Sequence, residues 1–238
     1  MSHITEFTFN LLSELKPKNL PDGVVKVYIN EINTTNWFLD KIPHREDGPA
    51  NYNAAGNYAY YVNGKLHRTD GPALKINDII TYYVNDTLHR EDGPAIEYAS
   101  GEKEWYLNGK LHRTDGPAVE KSDGSYTYYV NGVIHRDGGP ALYEARGNTE
   151  WYRNGILHNE DGPARIYRNG NYEYIVNGKR HREDGPALVL AAGCLKYYYV
   201  NGVEYTTKEK FDKRVTIKDM SIEEIEQLLG YKVKIVDK

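Results

Sequence analysis

Through the middle of this chain, apolar and polar positions follow a period of two, and only in short runs. A stretch such as Tyr126-Thr127-Tyr128-Tyr129-Val130 has strand length and strand composition. Registered on a recurring histidine, three columns emerge. Seven residues before it stand Trp37, Tyr60, Tyr82, Trp105, Tyr128, Trp151 and Tyr174. Five before it stand Leu39, Val62, Val84, Leu107, Val130, Arg153 and Val176. Strand alternation puts these two columns on one face, which the pattern predicts to be a continuous core. Six before the histidine, on the other face, stand Phe38, Tyr61, Tyr83, Tyr106, Tyr129, Tyr152 and Ile175. The tyrosines of that column, Tyr61, Tyr83, Tyr106, Tyr129 and Tyr152, form the candidate binding surface if they are exposed. The competing expectation is that they pack between successive hairpins.

The histidines are His44, His67, His89, His112, His135, His158 and His181, at spacings of 23, 22, 23, 23, 23 and 23 residues. Each is followed by Gly-Pro-Ala, from Gly48-Pro49-Ala50 to Gly185-Pro186-Ala187. A truncated eighth copy carries Tyr205 at the histidine position. Such self-similarity marks a tandem array over residues 37–206. Asn-Gly pairs such as Asn63-Gly64 and Asn131-Gly132 predict type I′ hairpin turns, which need positive φ at both central positions. A second turn carries glycine twelve residues after the histidine, at Gly101 and Gly124 for example. The 22-residue unit replaces it with Asn77-Asp78. Each unit is therefore expected to be an antiparallel hairpin with a short returning Leu-His-Arg strand, closed by an Asp-Gly-Pro-Ala turn. One hairpin cannot bury a core, but stacked hairpins can. The predicted fold is all-β: an elongated single-layer solenoid of about seven and a half stacked 23-residue β-hairpin repeats.

The ends depart from the repeat. Residues 1–36 form the expected N-terminal cap, with a strand in Gly23-Val24-Val25-Lys26-Val27-Tyr28-Ile29-Asn30 after the Pro21-Asp22-Gly23 turn. Residues 207–238 are expected to form a small α+β C-terminal cap. There Ser221 and Glu224 have capping-box spacing, Ile222, Ile225, Leu228 and Leu229 give a helical stripe, and Tyr231, Val233 and Ile235 alternate as a strand.

Composition changes the picture in three places. Tyrosine, at 22 residues against 4 Phe and 3 Trp, carries the apolar role while keeping a polar tip. A net charge of −4 without any long Lys/Arg cluster argues against nucleic acid as partner. The single cysteine, Cys194, rules out an internal disulfide and suits a reducing compartment. No apolar run reaches membrane-spanning length, and the first residues do not read as a signal peptide. A cytoplasmic protein without membrane association is the expectation, in the host cytoplasm if the protein is viral.

Histidine, arginine and aspartate in one segment would suit acid–base catalysis. Seven equivalent copies argue otherwise, because an active site is one constellation in one pocket. No catalytic residue and no cofactor is expected. Calcium-binding turns carry several acidic oxygens each, whereas each unit here offers one dependable aspartate, so no metal is expected either. Those aspartates are Asp47, Asp70, Asp92, Asp115, Asp161 and Asp184, and the unit at His135 shifts its own to Asp137. The remaining role is a turn clasp. Aspartate would accept turn N–H groups, and histidine would donate through one ring nitrogen and accept from the neighbouring unit through the other. Asn159 in place of arginine, and Tyr205 in place of histidine, read as tolerated variants of that clasp.

The segment Tyr60-Tyr61-Val62-Asn63-Gly64-Lys65-Leu66-His67-Arg68-Thr69-Asp70-Gly71-Pro72-Ala73 resembles the variant class of MORN repeats. Their units are β-hairpins around an aromatic-x-x-Asn-Gly core. The His-Arg-x-Asp-Gly-Pro-Ala form is similar to repeat proteins of large tailed phages and giant viruses. The resemblance covers the array and implies a scaffold without enzymatic activity that binds another protein. It implies in turn a phage protein that engages or inhibits a host factor such as a defence component. Two alternatives accompany it: a binder of a small polar ligand such as a nucleotide in a tyrosine-lined groove, and a structural virion component. Homo-oligomers through the array ends remain compatible with the sequence.

Overall fold

A computed structural model describes residues 4–190 and 193–213, together with Ser221 and Glu223. Apart from Ser221 and Glu223, the expected helix and strand after residue 220 lie outside these residues. Among the described residues the fold is a β-hairpin repeat, and contacts divide it into two units, Met1–His158 and Asn159–Lys238. The division falls inside the array.

In the first unit, β1 (Thr5–Phe9) runs parallel to β2 (Val24–Ile29), and β2 is antiparallel to β3 (Thr34–Leu39). Val25, Val27 and Ile29 alternate inward along β2 and are fully buried with Leu20 and Phe38, closing a small core over the start of the array. From β3 onward each repeat holds two hairpins instead of one. The first belongs to a continuous meander: Val119–Glu120 pairs back with Lys103–Glu104 and forward with Tyr126–Thr127, which pairs with Leu142–Tyr143. The second is a separate two-stranded tip, Tyr129–Val130 with Val133–Ile134.

The strand expected to run from Tyr126 to Val130 therefore breaks at Tyr128. The reason is visible in its backbone. Tyr128 N–H donates to Ala141 O at 2.7 Å, while Tyr128 O accepts from His135 N–H at 3.2 Å. One residue thus serves both ladders through its two flanking peptide groups, and the chain turns a corner there. Trp105 does the same with Ala118 and His112.

The expected core is also displaced. The Trp/Tyr and Val/Leu columns are only half-buried, with Arg153 exposed. The fully buried column is the alanine of Gly-Pro-Ala: Ala73, Ala95, Ala118 and Ala141 are 0% exposed. Each accepts, through its carbonyl, the N–H of an aromatic corner residue, as Ala118 does from Trp105 and Ala141 from Tyr128.

Turn chemistry follows the sequence closely. Asn131 and Gly132 have φ of 52° and 82°, as a type I′ turn demands. The meander turn at Lys121–Ser125 is a three-residue loop closed by Lys121 N–H to Ser125 O and by Gly124 at φ 86°. In the 22-residue unit, Asn77 and Asp78 take φ of 48° and 65° and link Ile76 directly to Ile79. A two-residue loop replaces a three-residue one, which accounts for the missing residue.

In the second unit, Arg165–Ile166, Tyr172–Glu173, Leu188–Leu190 and Leu195–Val200 continue the same pattern, and Val203–Tyr205 pairs with the last of these. A short helix, α1 (Lys208–Asp212), was not anticipated. Thr207 caps it by accepting Lys210 N–H at 3.2 Å, and buried Phe211 packs on the rings of Tyr198 and Tyr205. No helix among the described residues is long and apolar enough to cross a membrane.

Candidate binding surface

The repeated histidine sits between repeats. His44 Nδ1 accepts Asn63 N–H at 3.0 Å, His89 Nδ1 accepts Asn108 N–H at 3.2 Å, and His112 and His135 do the same to Asn131 and Asn154 at 3.1 Å. His67 Nδ1 meets both the N–H and the side chain of Asn85, and His181 Nδ1 accepts Asn201 N–H. His158 N–H donates to Trp151 O within its own repeat. Two backbone bonds run beside each clasp: Gly132 N–H to Leu111 O, and Arg113 N–H to Tyr129 O, in the same pair of repeats. At these six positions histidine fixes a tip hairpin to its neighbour.

Aspartate has a different principal partner from the one the sequence suggested. Asp47, Asp70, Asp92, Asp115 and Asp184 accept the Nε–H of the arginine two residues earlier at 2.6–2.8 Å. Hydrogen bonding from that guanidinium, and then its charge, hold the Asp115 carboxyl below the usual aspartate range. Where Asn159 replaces arginine, its Oδ1 accepts Asp161 N–H and its Nδ2 donates to Pro163 O. The Asn159 amide reproduces the arginine's bond to the proline carbonyl without its charge.

The arginine is the residue that sequence reasoning missed. Arg45, Arg68, Arg90, Arg113, Arg136 and Arg182 each lie 3.9–4.4 Å over the aromatic ring eight residues earlier, within cation–π range. The guanidinium of Arg113 also donates to Pro117 O and Glu120 Oε1. On its other side lies Gly116, where an added Cβ would stand 2.7 Å from Arg113 Cζ. In this arginine-bearing unit the glycine of Gly-Pro-Ala therefore leaves room for the guanidinium, and its φ is not positive. The recurrence of arginine eight residues after an aromatic was the available signal.

The tyrosine column is half-buried throughout its candidate members, Tyr61, Tyr83, Tyr106, Tyr129 and Tyr152. Tyr106 and Tyr152 donate their hydroxyls to Glu104 and Glu150 at 3.0 and 2.7 Å. Burial, and then the bond to Glu104, push the Tyr106 hydroxyl up to about 12. Carboxylates at these hydroxyls do not favour a phosphate-bearing ligand there.

A second surface lies on the turn loops. Between successive His-Arg-x-Asp-Gly loops lie clefts built from the same positions each time. One lies between the loops at Arg45–Gly48 and His67–Asp70, over Tyr60 and Val62. The next spans the loops at Arg68–Gly71 and His89–Asp92, over Tyr82 and Val84. A third spans Arg90–Pro94 and His112–Asp115, over Trp105 and Leu107. Among the described residues no group of three or more His, Cys, Asp or Glu is placed to hold a metal ion. No protein-family model matches the chain, and no curated protein is significantly similar to it.

Proposed function

We propose that this chain is a non-enzymatic repeat scaffold that binds another protein through the row of clefts on its His-Arg-x-Asp-Gly loops. The observation that supports this reading is the multiplicity of the clefts. Three copies of one cleft, each with an aromatic and an aliphatic side chain at its floor, suit an extended partner surface better than a single small substrate. The histidines support it from the other side: His44, His67, His89, His112, His135 and His181 are occupied as inter-repeat acceptors, so the chemistry-bearing residue is spent on geometry. Cytoplasmic action as a viral protein engaging a host factor is the setting that the resemblance of the repeat suggests.

Thr69 lines two of the clefts and is exposed, so Thr69→Trp crowds their shared wall without touching the clasp. Capture of a partner from host lysate should succeed with the intact chain and fail with Thr69→Trp at an unchanged melting temperature. Undiminished capture by Thr69→Trp would remove the clefts from consideration.

A further inference from the structure

The rims of the three clefts divide charge unequally between surface and interior. Glu46, Asp47, Asp70, Glu91, Asp92 and Asp115 have side chains 80–85% exposed. The four arginines between them, stacked on aromatic rings, are only 21–24% exposed. Each cleft is thus lined by three exposed carboxylates and two recessed arginines, one of which lies over the ring of Tyr60, Tyr82 or Trp105, with Val62, Val84 or Leu107 beside it. That combination suits a side chain with an apolar stem and a cationic tip. The spacing narrows the choice further. Each repeat adds two strands to the meander, and at roughly 4.8 Å per strand neighbouring clefts lie about 9.6 Å apart. A β-strand presents one face at intervals of about 6.8 Å, which does not match. Three residues of polyproline II rise about 9.3 Å, which does.

We infer that the clefts take a basic peptide segment in polyproline II conformation, with a lysine or arginine at every third position entering successive clefts. The inference rests on the reading of the chain as a protein-binding scaffold and names the chemistry of its partner. Three similar subsites in successive repeats make such a ligand multivalent, so modest contacts at each cleft combine into useful affinity. The loop at His135 departs from the pattern, with Asp137-Gly138 in place of x-Asp, which ends the run of like loops.

The test uses the full chain and three synthetic peptides measured by fluorescence anisotropy: nine-residue Lys-Pro-Pro and Glu-Pro-Pro repeats and an alternating Lys-Pro repeat. The Lys-Pro-Pro peptide should bind, weaken with added salt, and exceed both others by about tenfold or more. The double variant Glu46→Gln, Glu91→Gln leaves every Arg–Asp pair intact and should lower that affinity about fivefold at an unchanged melting temperature. Equal binding of the Glu-Pro-Pro peptide, or an affinity indifferent to the double variant, would overturn the inference. So would equal binding of Lys-Pro, which would show that charge alone and not spacing is read. In each of those cases the scaffold reading is judged separately, by partner capture with Thr69→Trp.

Discussion

The imidazole Nδ1 of His112 accepts the backbone N–H of Asn131 at 3.1 Å, nineteen residues further along the chain. The bond crosses from one repeat to the next at the first residue of the type I′ turn, where φ is 52°. It requires Nδ1 without a proton, so the ring hydrogen of neutral His112 is on Nε2. A turn residue with an inward N–H and a histidine on the previous turn define each other, and that is why the two recur together.

Replacing His112 by alanine removes one clasp and leaves the Asn131 N–H to solvent. The expected loss is about 1 kcal/mol, a few degrees in melting temperature, because a single hydrogen bond of this kind contributes on that order. Neighbouring clasps at His89 and His135 keep their partners. Calorimetry of His112→Ala and of the double variant with His89→Ala should show nearly additive losses. A melting temperature unmoved by both changes would mean that the clasp is ornamental.

Glycine in the Gly-Pro-Ala turn offers a sharper contrast. At Gly116 a methyl group would stand 2.7 Å from Arg113 Cζ, displacing the guanidinium from Trp105, Asp115 and Glu120 together. At Gly162 the nearest atom is Asn159 Nδ2 at 3.5 Å, ordinary contact. Gly116→Ala should therefore lower stability by roughly 1–2 kcal/mol, the sum of a lost cation–π contact and charged hydrogen bonds. Gly162→Ala should be neutral or slightly stabilising, since alanine also restricts the unfolded chain. Denaturant titrations of the two variants side by side decide it. Equal losses would mean that both glycines are needed for backbone reasons.

These two positions also show how much could be read from the sequence. Period, turn types and the inter-repeat role of histidine follow from local chemistry, and Asn-Gly states its φ requirement outright. The alanine core was hidden because Ala118 carries no hydrophobic signal; its burial comes from two ladders meeting, a fact of pairing between distant residues. Arginine was hidden for a related reason. Arg113 reads as a surface charge until the ring of Trp105 is known to lie under it. Breakage of the expected strand at Tyr128 was equally invisible, because alternation continues across the corner while the hydrogen-bond partners change. The clefts depend on all three, and so were not legible as a surface.

Tyrosine, the residue on which the sequence placed its candidate site, supplies the last test. Tyr106 is half-buried, its hydroxyl donates to Glu104 at 3.0 Å, and it titrates at about 12 instead of 10. Burial contributes most to this shift, followed by the hydrogen bond to Glu104. The sign follows from linkage: above pH 10 the unfolded chain gives up this proton while the folded chain retains it. The contribution of Tyr106 is therefore fully present below pH 10 and falls away as the pH rises toward 12. Ultraviolet titration of the folded chain should leave the Tyr106 phenol un-ionised at pH 11, and Tyr106→Phe should remove that late-titrating component. The same variant should cost about 0.5–1.5 kcal/mol at pH 7, since the donor to Glu104 is lost. Its melting temperature should then decline less steeply than that of the parent between pH 10 and 12. A Tyr106→Phe chain with unchanged stability and an unchanged titration curve would mean that this hydroxyl is solvated, and the tyrosine column would return as an accessible surface in competition with the clefts.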